Sequence, residues 1–220
     1  MSARMAFDVE LGKLQAELVK MGAMVEQSIE RSIGTLRSGN SELAQMVVDG
    51  DRAVDDMEKS IESHCLGLLL RQQPVARDLR SISAALKIIT DMERIGDHAA
   101  DIAEISMHLA GEDVSAIAGH LEEMSSAAVS MLHASIDSYI HTDSELARQT
   151  ILQDDIVDAL FLKVRSEIIE QICRNAEKAS AAIDIMMAAK YLERIGDHAV
   201  NICEWVLFFG TGEHKNTRII

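Results

Sequence analysis

Glu93-Arg94-Ile95-Gly96-Asp97-His98 is written twice in this chain, the second time as Glu193-Arg194-Ile195-Gly196-Asp197-His198, 100 positions later. Ala99 and Ala199 extend the match. Upstream, Ser41-Glu42-Leu43-Ala44 returns as Ser144-Glu145-Leu146-Ala147, and on that register Asp51, Val54 and Asp55 align with Asp154, Val157 and Asp158. A fixed-period repeat of this length marks a duplicated structural unit. The two offsets differ by a three-residue deletion near the second helix-helix turn of the second copy. We therefore divide the chain into a first repeat at 1–112 and a second at 113–220, the latter with a short polar tail.

Composition selects the element type. Of 220 residues, 48% are hydrophobic but only 3% aromatic, and Pro74 is the single proline. Such a chain can bury a core, and its Met, Ala, Leu and Ile favour helices over strands. Turn and cap signals at Ser38-Gly39-Asn40-Ser41, Pro74, Gly111-Glu112-Asp113, Thr142-Asp143-Ser144 and Asn175 divide it into helices over 6–37, 41–72, 75–110, 114–141, 144–174 and 178–209. Ser41 and Ser144 suit N-caps, and Pro74 suits the first turn of the third helix. In the second helix Val54, Met57, Ile61, Cys65 and Leu68 line one apolar face. The expected fold is all-α: two tandem, pseudo-symmetric three-helix bundles, each about 45 Å long at 1.5 Å per residue.

The repeated motif carries the candidate chemistry. Glu93, Asp97 and Asp101 rise along one side of a helix with about 40° of drift per step. Their line continues Ile82, Leu86 and Ile89, so the acids stand at the edge of the packing face. The preceding helix offers Asp51, Asp55 and Glu58 beside its apolar stripe, and the second repeat sets Asp154 and Asp158 against Glu193 and Asp197. Two facing acidic rows repel unless cations lie between them. All-oxygen ligands suit hard cations such as iron, manganese, magnesium or calcium, whereas zinc more often recruits His or Cys. A single acidic row is ordinarily a solvated face, with Arg94 or Arg194 as local partner. Its repetition, with Ile and Gly kept between the acids, favours a metal cluster. Gly96 and Gly196 fit either close helix approach beside ions or tight packing alone. His98 and His198 point about 140° away from the glutamates, and the row His133, Asp137, His141 does not repeat, so it reads as solvated.

Charge and cysteines narrow the function class. The formal charge of −15 repels nucleic-acid backbones and anionic lipids. No stretch reaches the roughly 18 apolar residues of a membrane span, and Glu10 and Glu17 interrupt any signal-peptide reading, so a cytoplasmic protein is expected. Cys65, Cys173 and Cys203 form no CxxC pair and read as core residues.

The two ERIGDH copies, together with Arg71-Gln72-Gln73-Pro74-Val75-Ala76-Arg77-Asp78-Leu79-Arg80, closely resemble the PhoU family of phosphate-signalling regulators over almost the whole chain. The resemblance implies a non-catalytic adaptor that restrains the phosphate regulon and phosphate uptake. It would do so by linking the ATPase subunit of the phosphate ABC transporter to a sensor histidine kinase. A homodimer is expected, without nucleic acid and touching membrane only through protein partners. It also implies multinuclear clusters of iron, zinc or manganese on the E(D)xxxD acids and those of the neighbouring helix. The copies differ: Asn201 stands at the counterpart of Asp101, Phe161 at that of Glu58 and Tyr191 at that of Asp91, a residue that should be solvated. The second site should hold fewer or weaker ions. The competing readings are a carboxylate-bridged metalloenzyme of helical-bundle type, which its lack of Glu-x-x-His pairs disfavours, and a metal-free structural protein.

Overall fold

A computed structural model describes residues 3–72, 75–112, 115–214 and 217–218. It contains six long helices: α1 (Ala3–Ser38), α2 (Ser41–Gln72), α3 (Ala76–His108), α4 (Ser115–His141), α5 (Ser144–Arg174) and α6 (Ala179–Thr211). A 3-10 turn, Ala176–Lys178, leads into α6 where the deletion was read. The fold is all-α, as the composition predicts, with α1–α3 and α4–α6 each packed as a three-helix unit. The Pro74 reading lies outside the described residues, as does Asp113. Among the described residues no helix is long and apolar enough to cross a membrane.

Two helices start where the sequence reading places them, at 41 and 144, but each is capped by the residue before the expected serine. Asn40 Oδ1 accepts from Leu43 N at 3.0 Å, and Asp143 Oδ1 accepts from Glu145 N and Leu146 N, each at 3.0 Å. The short Asx side chains thus cap α2 and α5, and Ser41 and Ser144 are the first helical residues. The tail also differs. Glu213–His214 pairs antiparallel with Thr217–Arg218, and the His214 ring stacks on Trp205 at 3.9 Å, so an apolar indole surface holds a segment read only as a short polar tail. Gly212, at φ 80°, supplies the left-handed turn that ends α6.

The repeat is visible in individual contacts. His64 of α2 places Nδ1 2.7 Å from Glu17 Oε2 of α1, and His120 of α4 places Nδ1 3.0 Å from Glu167 Oε2 of α5. On the repeat register these are one pair with donor and acceptor helices exchanged. Buried Ser32, Thr35, Ser135 and Ser138 each return their hydroxyls to the carbonyl three residues back, which satisfies them within their own helix.

The two units share one hydrophobic cluster, because α3 packs on α6 and α1 on α4. Gly22 lets α1 approach Ile136 of α4, whose Cδ1 would collide with an added Cβ. Arg77 and Arg80 of the RQQPVARDLR segment serve this junction: Arg80 Nε donates to Phe209 O at 3.2 Å, and the Arg77 guanidinium lies 5.9 Å from the Phe209 ring. Both arginines sit against the carbonyl end of α6, where positive charge is favourable.

Candidate metal centres

The first centre forms where α2 runs along α3. Asp51, Asp55 and Asp97 each turn a carboxylate oxygen to within 4.8 Å of the others. Gly96 makes this possible: a Cβ there would lie 3.1 Å from Asp51 Oδ1 and 3.2 Å from Val54 Cγ1. The glycine of the motif therefore receives a carboxylate from the neighbouring helix. Burial, then the charges of Asp97, Asp55 and Asp101, push the Asp51 carboxyl up to about 6. Burial and Asp97 likewise raise Glu93, with Arg94 acting in the opposite direction.

The remaining acids of this repeat surround that core less tightly. Arg94 is exposed and pairs with Asp97 at 3.1 Å and with Glu93 at 3.5 Å. Glu58 accepts from Thr90 Oγ1 at 3.4 Å. Asp101 stands at the inner end, 3.5 Å from His98 Nδ1.

The second centre repeats the cradle. A Cβ on Gly196 would come within 2.9 Å of Asp154 Oδ1, and that oxygen is buried with no hydrogen-bond partner. Burial and the charges of Asp158, Asp197 and Glu193 raise Asp154 to about 6. Asp197 is raised too, by burial and Glu193. Among the described residues, however, Asp154, Asp158, Glu193 and Asp197 do not converge as closely as the first triad. A lysine, Lys190, also enters this centre. Its Nζ is paired with Glu193 and stands 5.3 Å from the ring of Phe161. The sequence reading passed over Lys190, although aligning it with Thr90 would have exposed the change of charge.

These residues fit a hard cation: the donors are carboxylates, glycine leaves room for one in each cradle, and Asp154 Oδ1 is an orphaned acceptor. Asp51, Asp55 and Asp97 could hold an ion in the first repeat, with Glu93, Glu58 and Asp101 at its margin. Asp154, Asp158, Glu193 and Asp197 could do so in the second.

The histidines of the motif face the seam between α3 and α6. His98 is buried and stacks on Tyr191 at 5.2 Å, with His198 5.6 Å away, and burial holds its imidazole below the usual pKa. His198 Nδ1 lies 2.8 Å from Asp91 Oδ1, to which Asn201 Nδ2 donates at 3.3 Å. Asp91 is thus a partly buried partner across the seam, a correction to its reading as solvated. Asn201 also gains a local reason, because an aspartate there would set a second carboxylate against Asp91. Elsewhere His133, 66% exposed, meets Glu26 at 3.1 Å and Asp137 at 3.5 Å.

Known proteins share this architecture. The PhoU domain model matches residues 18–106 and 121–206, one match per repeat. The "Phosphate-specific transport system accessory protein PhoU homolog" of Clostridium acetobutylicum is 35% identical over 211 residues, covering 96% of each chain. The protein of the same description from Pseudomonas aeruginosa is 33% identical over 208 residues, 94% of this chain and 86% of its own length. The crystal structure of PhoU from Pseudomonas aeruginosa superposes with a TM-score of 0.88 at 31% identity, covering 94% of this chain and 100% of that one. With one domain match in each repeat and the fold of that crystal structure, this chain belongs to the PhoU family.

Proposed function

We propose that this protein is a metal-binding regulatory adaptor of phosphate homeostasis, acting in the cytoplasm as an accessory of a phosphate transport system. The observation that carries the reading is the near end-to-end match, in sequence and fold, to proteins named as accessories of phosphate-specific transport. In this reading the adaptor joins the ATPase subunit of the phosphate ABC transporter to a sensor histidine kinase and restrains the phosphate regulon and phosphate uptake when phosphate is plentiful. It has no catalytic step of its own. The exposed apolar residues Leu152, Ile156, Leu162 and Ile169 along α5 give it a surface for association with protein, a homodimer partner included.

The carboxylate centres brace the docking surface. A bound cation would supply the positive charge that lets α2 and α5 lie against the motif helices. Asp51 and Asp154 would then remain ionised in their glycine cradles, fixing the helix spacing on which the outer faces depend.

Affinity capture from phosphate-replete cells tests the reading. The nucleotide-binding subunit of the transporter should be recovered with the tagged protein, and less of it from cells expressing the Asp51→Asn, Asp154→Asn double variant. Repeated recovery of neither that subunit nor the kinase would overturn the adaptor role.

A further inference from the structure

The two centres are copies whose charges differ at several register positions: Glu58, Lys59 and Asp101 of the first become Phe161, Leu162 and Asn201 in the second, and Thr90 becomes Lys190. Thr90 offers a neutral hydroxyl that reaches Glu58 at 3.4 Å and its own helix at Leu86 O, 3.2 Å. Lys190 instead pairs its ammonium with Glu193, whose side chain is only 14% exposed, and sits over the Phe161 ring. Phe161 is itself the replacement for Glu58, so the lysine gains an aromatic face where the first repeat has a carboxylate. The first centre has more carboxylates, Asp51, Asp55, Glu58, Glu93, Asp97 and Asp101, and its cations are exposed, Lys59 at 3.9 Å from Asp55 and Arg94 beside Asp97 and Glu93; the second sets the less exposed Lys190 among Asp154, Asp158, Glu193 and Asp197.

We infer that Lys190 is a resident counter-ion of the second centre: its ammonium takes up part of the negative charge, and one of the carboxylates, that a divalent cation would use. The second centre consequently binds divalent cations more weakly than the first, and binding there requires the Lys190–Glu193 pair to open. This inference rests on the metal-binding reading above and adds a graded response to it. Over a range of cation concentration the first centre is filled while the second still holds its own ammonium. Removing Lys190 makes the centres more alike, and so does placing a lysine at position 90.

Titration of chelator-stripped protein with Mn²⁺, followed by elemental analysis of the protein fraction and by the electron paramagnetic resonance of free Mn²⁺, tests this. Asp51→Asn isolates the second centre and Asp154→Asn the first. In the Asp51→Asn background, Lys190→Thr should tighten Mn²⁺ binding about tenfold, the scale on which partners of ligating groups tune affinity. Lys190→Met, which keeps the stem over Phe161 but removes the charge, should do the same. In the Asp154→Asn background, Thr90→Lys should weaken binding by a similar factor. Circular dichroism establishes that each variant is folded. Mn²⁺ binding that none of the three substitutions changes beyond twofold would overturn the role of Lys190 alone. Failure of both centres to bind Mn²⁺ at millimolar concentration would overturn the metal-binding reading, and the inference with it.

Discussion

Asp51 is a carboxylate drawn into the gap beside a glycine, and its environment makes it a stronger proton binder in the fold than in the open chain. Its pKa is pushed up to about 6, chiefly by burial and then by neighbouring acids. A raised acid pKa means that the native state binds more protons than the unfolded state between about pH 4 and pH 6, so stability from this group falls as pH rises through that window. The nominal penalty is reduced by solvent, since Asp51 is only partly buried, and about 1–2 kcal/mol remains. In the presence of chelator, Asp51→Asn should therefore melt above the wild type by roughly 2–6 °C at pH 7, with the difference closing near pH 4. Addition of Mn²⁺ should reverse the order at pH 7, because the wild type gains a ligand and the variant loses one. Calorimetry across pH, with and without the cation, checks both signs. The identity of Asp51 as a candidate ligand was legible from its place in the repeat; its depth beside Gly96 was not, since depth depends on how closely α2 approaches α3.

At the scale of a helix pair, Gly96 and Gly196 separate the two reasons for a glycine inside a helix. Replacing either with alanine adds up to about 1 kcal/mol of helix propensity. Against this, the new Cβ at position 96 meets Val54 Cγ1 at 3.2 Å, and Val54 is buried at 2% exposure and cannot easily withdraw. At position 196 the corresponding valine contact is an ordinary 3.5 Å, and the close atom is the movable carboxylate of Asp154. Gly196→Ala should then raise the melting temperature of the chelated protein by more than Gly96→Ala does. Both should lower Mn²⁺ affinity at their own centre by displacing a carboxylate. Equal Mn²⁺ affinity in both variants and wild type, by calorimetric titration, would show that the cradles serve packing alone. The helices themselves were read correctly from period and composition, because six long amphipathic segments leave few alternatives. Their caps slipped by one residue where Asn-Ser and Asp-Ser offer two capping side chains in succession, a choice settled by local backbone geometry.

For the molecule as a whole, the sharing of one apolar cluster by both repeats decides how it unfolds. The α3–α6 seam holds His98 against Tyr191 and His198 against Asp91, and the α1–α4 side closes at Gly22 and Ile136. Melting of the chelated protein should consequently be a single cooperative transition, with calorimetric and van't Hoff enthalpies in agreement. Two resolved transitions would mean that each repeat holds its own core. Gly22→Leu, which overpacks the α1–α4 contact, should lower the whole transition, with a cost of about 1–3 kcal/mol.

The amino-acid sequence by itself determined the helical class, the duplication and the acidic residues that face one another, since each follows from period, composition and comparison of the chain with itself. Only the tertiary structure decided which acid enters the glycine cradle, that the motif histidines line the seam, that Asp91 has partners there, and that Lys190 enters the second centre. Those outcomes depend on which helices meet, and at what distance. Spacing along one helix fixes the face a residue occupies but carries no information about the side chain waiting on the next.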